Sequence, residues 1–127
     1  MAITQVNVSS PSNEIVFTDT AMGNTVDGIK SSSAKVYSLT VDNSANGGAA
    51  SYVKLFNLAS GSVVLGTTAP DEIIYIPSGA IVTHNFQTSA APGKTFGSAL
   101  SAACVTAGGT AGVTAPASSV VVSITYV

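Results

Sequence analysis

The last ten residues, Ser118–Val127 (SSVVVSITYV), decide how the rest of the chain is read. Val120, Val122, Ile124 and Tyr126 alternate with Ser119, Val121, Ser123, Thr125 and Val127. Successive side chains of an extended strand point to opposite faces, so this period of two marks a strand with one face on a core. Lys35–Asp42 (KVYSLTVD) repeats the pattern, with Tyr37, Leu39 and Val41 on one side and Ser38, Thr40 and Asp42 on the other.

Further strands are predicted at Ile3–Val8, Ile15–Thr18, Tyr52–Asn57, Val63–Leu65, Glu72–Ile76, Ala80–Phe86 and Ala99–Thr106. Clusters of Gly, Pro, Asn and Ser separate them at the short, regular spacing of a sandwich or barrel. Phe96–Ala103 (FGSALSAA) also fits one helical turn. No stretch has room for the helices of parallel crossovers. The expected fold is all-β: one antiparallel, jelly-roll-like sandwich over residues 1–127, with eight or nine short strands. Residues 1–13 read either as an N-terminal arm or as a plain first strand. A short echo, G-x-T-A-P, occurs at Gly66–Pro70 and Gly112–Pro116, and is read as shared turn chemistry in which Pro fixes the approach to a strand.

Composition supports this class and excludes several functions. Of the 127 residues, 46% are hydrophobic and 8% charged, the latter against roughly 25% in an average domain. That much apolar content is inconsistent with disorder. The chain has no Arg, and its four lysines, Lys30, Lys35, Lys54 and Lys94, are scattered. Nucleic-acid binding uses clustered cations and stacking platforms, so a direct nucleic-acid role is not expected. The first residues, MAITQVNVSS, lack the basic start and apolar core of a signal peptide. No apolar run reaches the roughly 18–20 residues that span a bilayer, so no membrane is expected as a partner. The single Cys104 has no partner for an internal disulfide and reads as a small buried hydrophobe.

The candidate chemistry is sparse. The loop DNSANGG offers Asp42, Asn43 and Asn46 as oxygen ligands, but it lacks the order of a Ca²⁺ loop and its closing Glu. Asn, Asp and Gly are equally what a turn selects, and the turn reading is preferred. His84 is the only histidine and is expected on the same strand face as Val82 and Phe86. No nucleophile elbow accompanies it, and nothing marks Cys104 as an activated partner. Asp71 and Glu72 are adjacent, so a strand sends them to opposite faces and they make a poor acid–base pair. No catalytic residue, metal ligand or cofactor site is assigned, and no enzyme is expected. Several strands are apolar on both faces: Ile73 and Tyr75 oppose Ile74 and Ile76, and Val121 and Val127 lie opposite the main face of the last strand. In so small a sandwich a second apolar face suits another subunit.

From about Tyr37 to Val127 the chain resembles a family of small structural proteins of tailed bacteriophages. The resemblance is carried by LTVDNSA…SYVKLFN, GTTAPDEIIYIPSGA, a strand ending near Phe86, and the close ACVTAGGTAGVTAPASSVVVSITYV. It implies a virion component, most like a capsid decoration (cement) protein. Such a protein is made in the host cytoplasm and lies on the capsid surface as a homotrimer, stabilising the head by binding between major capsid protein subunits. The same fold serves tail, baseplate or fibre components equally well. Jelly rolls also bind sugars, so a host-glycan-binding module is a further expectation, although Trp is absent.

Overall fold

The computed structural model describes residues 3–7, 13–86 and 92–127. Ten strands follow one another: β1 (Ile3–Asn7), β2 (Ile15–Asp19), β3 (Asp27–Lys30), β4 (Ala34–Asp42), β5 (Ser51–Phe56), β6 (Glu72–Ile76), β7 (Ile81–Asn85), β8 (Lys94–Phe96), β9 (Leu100–Val105) and β10 (Val121–Tyr126). The only helical piece among the described residues is a 3-10 turn at Ser60–Ser62. The larger sheet runs β1-β2-β10-β4-β7, with β8 also on β4, and the smaller runs β3-β9-β5-β6. Every pairing is antiparallel.

With β1 and β8 set aside, β2-β10-β4-β7 faces β3-β9-β5-β6. This is the two-Greek-key order of a jelly roll, in which β2–β3, β3–β4, β4–β5, β6–β7 and β9–β10 each pass from one sheet to the other. The all-β, two-layer expectation therefore holds, with ten strands among the described residues where eight or nine were expected.

The core lies where the two inner faces meet. The larger sheet contributes Phe17, Val36, Leu39, Val41, Val122, Ile124 and Tyr126, and the smaller contributes Ile29, Val53, Leu55, Ile74, Ile76, Leu100, Ala102 and Cys104. The alternation of β10 is as the sequence predicts: Val120, Val122, Ile124 and Tyr126 are all buried. That of β4 breaks once. Thr125 pairs with Ser38 but Tyr126 with Val36, which leaves Tyr37 as the extra residue of a bulge. The bulge shifts the phase by one, so Val36 occupies the core and Tyr37, expected there, is only half-buried.

Two other expectations are corrected. Val63–Leu65 is not a strand: the Val64 carbonyl accepts from Thr67 N and Thr68 N, and the Thr68 hydroxyl accepts from Val64 N, closing a compact turn. Phe96–Ala103 is not helical. Phe96 ends β8 and Leu100 opens β9, a central strand whose small residues are buried on both faces between β3 and β5. β3 (DGIK) and β8 (KTF) are too short to show a period in the sequence. At the N-terminus, β1 pairs along β2 from Ile3↔Asp19 to Asn7↔Ile15. Residues 1, 2 and 8–12 of the proposed arm lie outside the described residues.

The second face of β9 and β5 is covered by the chain itself. The loops carrying the two G-x-T-A-P segments meet over it. A Cβ on Gly66, whose φ is +93°, would fall 2.6 Å from Val113 Cγ1, and one on Gly112 would fall 2.3 Å from Ala107 O. Glycine is thus required in both copies, for close approach rather than only for turning.

Candidate functional site

Strand β4 ends at Asp42, and the chain turns through Asn43 to Ala50 before β5 begins. Asp42 Oδ1 accepts from Ser44 N at 2.9 Å, a local Asx turn whose hydrogen bonds hold the Asp42 carboxyl below its ordinary range. Asn43 and Asn46 are buried rather than presented to solvent. Asn43 Nδ2 donates to Ala49 O and Pro77 O, both at 3.1 Å, and Asn43 Oδ1 accepts from Asn46 Nδ2 at 2.9 Å and Ser51 Oγ at 2.8 Å. Asn46 Nδ2 also donates to Ser118 O, and Asn46 Oδ1 accepts from Ser118 N. The oxygens first considered as ligands are therefore engaged by protein donors. They knot together the β4–β5 loop, the Pro77–Ala80 turn and the approach to β10.

His84 faces inward with Val82 and Phe86, as the alternation predicts, and its ring meets Phe86 edge-on at 4.6 Å between centroids. Cys104 is fully buried on β9 of the other sheet, and burial pushes its thiol up to about 12. A thiol so far from ionising is not a nucleophile. Asp71 Oδ2 accepts from Asn57 N at 2.7 Å, while Glu72 forms an ion pair with Lys94 at 2.6 Å. Asp71 and Glu72 thus serve different partners. The Glu72–Lys94 pair joins β6 of the smaller sheet to β8 of the larger.

Two buried charged features escaped the sequence reading. Lys54 is fully buried, although its neighbours Val53 and Leu55 are the core residues of β5. It points to the other face of the sheet, under the Gly112 loop, where its ammonium donates to Gly112 O at 2.8 Å and Thr110 O at 3.4 Å. Burial lowers its pKa. Carbonyl dipoles, rather than a carboxylate, compensate this charge among the described residues. The alternation in SYVKLF gives the direction of Lys54, but not the lid that buries it.

The second feature is a pair of carboxyls, Asp19 and Asp27, with 0% and 5% of their surface exposed. Asp19 closes β2 two residues after Phe17, and Asp27 opens β3 two residues before Ile29, so both point inward, from opposite sheets. Asp19 Oδ1 accepts from Ala21 N, while the Oδ2 atoms of both residues have no partner. Desolvation first, and then the neighbouring carboxyl of Asp19, push Asp27 from its ordinary 3.8 up to about 7. The spacing Phe17-x-Asp19 could have signalled an inward carboxyl. Asp27 carried no such signal.

The outer faces differ. On the larger sheet, Thr4, Thr18, Ser123, Thr40 and Thr83 stand in register across five of the six strands. Neighbouring hydroxyls hydrogen-bond along this row, Thr18 to Ser123 at 3.0 Å and Thr40 to Thr83 at 3.2 Å. The smaller sheet is lidded over β9 and β5, but its edge strand β6 is left open. There Ile73 and Tyr75 are exposed, and Tyr75 packs on Tyr52 at 5.3 Å between ring centroids. Val113 of the lid is exposed as well. A cleft of about 280 Å³ beside β3 is lined by Gly28, Ile29, Lys30, Ser31, Ala59 and Ser60, without a carboxylate or imidazole. The arrangement best suited to recognition is therefore the apolar border of the smaller sheet. No protein-family model, curated protein or solved structure matches the chain.

Proposed function

We propose that this chain is a structural protein that works by docking, and specifically a capsid decoration protein of a tailed bacteriophage that binds between major capsid protein subunits as a homotrimer. The observation that carries the reading is the open apolar border of β6. Ile73 and Tyr75 stand exposed on a strand whose other edge pairs with no strand among the described residues. Apart from Glu72 at its start, which is paired with Lys94, the strand carries no charge, and an exposed apolar edge invites pairing with another chain. The choice of major capsid protein as the partner of that surface rests on the sequence resemblance of residues 37–127 to phage structural proteins. The jelly-roll order is compatible with this role, but by itself it assigns none.

Purified protein mixed with undecorated mature capsids is expected to bind at symmetric positions, and light scattering is expected to give a trimer mass. Ile73→Glu with Tyr75→Glu is expected to abolish binding while leaving the folded spectrum intact, because both side chains are already exposed. Absence of binding by the wild type would overturn the head assignment. Labelled chain found on tails would transfer the protein to the tail, baseplate or fibre.

A glycan-binding module is the second reading, favoured by the Tyr52–Tyr75 pair. Tyr75 is 55% exposed and offers a sugar face an aromatic platform. Saturable binding to a glycan array that survives high salt and is lost in Tyr75→Ser would support it.

A further inference from the structure

We propose that Asp19 and Asp27 share one proton across the interior of the sandwich, forming an acid-dependent clasp between its two sheets. The two residues end β2 of the larger sheet and begin β3 of the smaller, at the corner where the chain crosses over. Asp19 sits in register between Ile3 and Val122, and Asp27 is opposite Ala102. Both are more than nine-tenths buried, and each keeps one oxygen, Oδ2, without a partner.

Two ionised carboxyls in such a place would repel each other without water to screen them. A single proton removes one charge and supplies the donor that the partnerless oxygens lack, giving a short charge-assisted O–H···O⁻ bond. Among the described residues no lysine forms an ion pair with either carboxyl: Lys94 pairs with Glu72, and Lys54 is held by the lid carbonyls on the outer face. Among the described residues, the other titratable group facing the pair is the Cys104 thiol on β9, which stays neutral. A bound cation is the competing way to neutralise the pair. Among the described residues, however, no third Asp, Glu, His or Cys joins it as a ligand.

The sign of the pH dependence follows. Asp27 is shifted from 3.8 to about 7, so between these values the folded chain holds a proton that the unfolded chain has released. Stability from this pair is complete at low pH, declines as pH rises towards 7, and is level above it. The loss is expected to concentrate in β3 and the crossover preceding it.

The test uses the full chain with chelator present, in a His84→Gln background that removes the one imidazole. Thermal unfolding is followed from pH 4.5 to 8.5, with carbon NMR of the Asp carboxyls. Expected are a midpoint that falls as pH rises and then levels, a carboxyl titrating well above the ordinary range, and faster amide exchange in β3 above pH 7. Asp27→Asn, a neutral donor of the same shape, is expected to flatten the profile. Should that variant not fold, the carboxyl titration of the unmutated pair decides. Both carboxyls titrating between about pH 3 and 5 would overturn the proposal. So would Ca²⁺ or Na⁺ restoring the acid-state midpoint at pH 8, which would make the pair a cation site.

Discussion

The molecule buries polar side chains at two corners and treats them in opposite ways. At the β4–β5 corner, Asn43 and Asn46 meet a partner for every amide group they bring inside, and the partners come from three separate loops. At the β2–β3 corner, Asp19 and Asp27 are buried from opposite sheets with one oxygen apiece left over. The first corner uses neutral amides, each both donor and acceptor, so the network closes without protons from solvent. The second uses acceptors alone, and only a proton or a cation can complete it. A satisfied polar network rigidifies a fold, whereas an incomplete one responds to conditions.

Exchanging the chemistry of the corners is the severest test. Asn43→Asp replaces the donors to Ala49 O and Pro77 O with a second acceptor, and is expected to cost more than about 3 kcal/mol at pH 8. The loss should shrink towards pH 4, because a buried carboxyl is raised above its unfolded value and the folded state then binds the extra proton. Denaturant melts at the two pH values check this. A loss independent of pH would show that the corner admits water.

Asn43→Ala is next, at about 2–3 kcal/mol by chemical denaturation, since Ser51 Oγ and Asn46 Nδ2 lose their shared acceptor. Here the loss should be the same at pH 5 and pH 8, which separates this corner from the acidic one. Lys54→Ala should cost about 2 kcal/mol by the same measurement. It strands Gly112 O and Thr110 O and empties the space under the lid, and amide exchange should rise at 106–116. An unchanged exchange pattern would mean that glycine packing alone holds the lid. Glu72→Gln is the smallest effect, below about 1 kcal/mol, because the pair with Lys94 is about one-third exposed and screened. A melt in high salt should reproduce the effect of that substitution.

How legible each part was in the sequence depends on how local its cause is. Val121–Tyr126 is legible because backbone geometry enforces its alternation within a few residues, and Glu72–Ile76 because a short apolar run between turn residues also marks a strand. β3 and β8 were missed because four and three residues hold too little of a period; they exist through their pairing with β9 and β4. Tyr37 was assigned to the core because a bulge cannot be seen in one strand alone; it is defined by the register of β4 against β10. The loop at Asp42–Asn46 was read rightly as a turn, but the partners that bury Asn43 and Asn46 lie up to 72 residues away.

The sequence by itself determined that this is an all-β chain with one core, no Arg and few charges, and it determined which strand faces are apolar. Those properties are local, carried by composition and by a period of two. Only the tertiary structure decided that Lys54 lies beneath a lid, that Asp19 and Asp27 are buried at one corner from opposite sheets, and that β6 remains the open border. Each of these depends on which strands pair and which sheets face each other, and long-range contact of that kind leaves no trace in neighbouring residues.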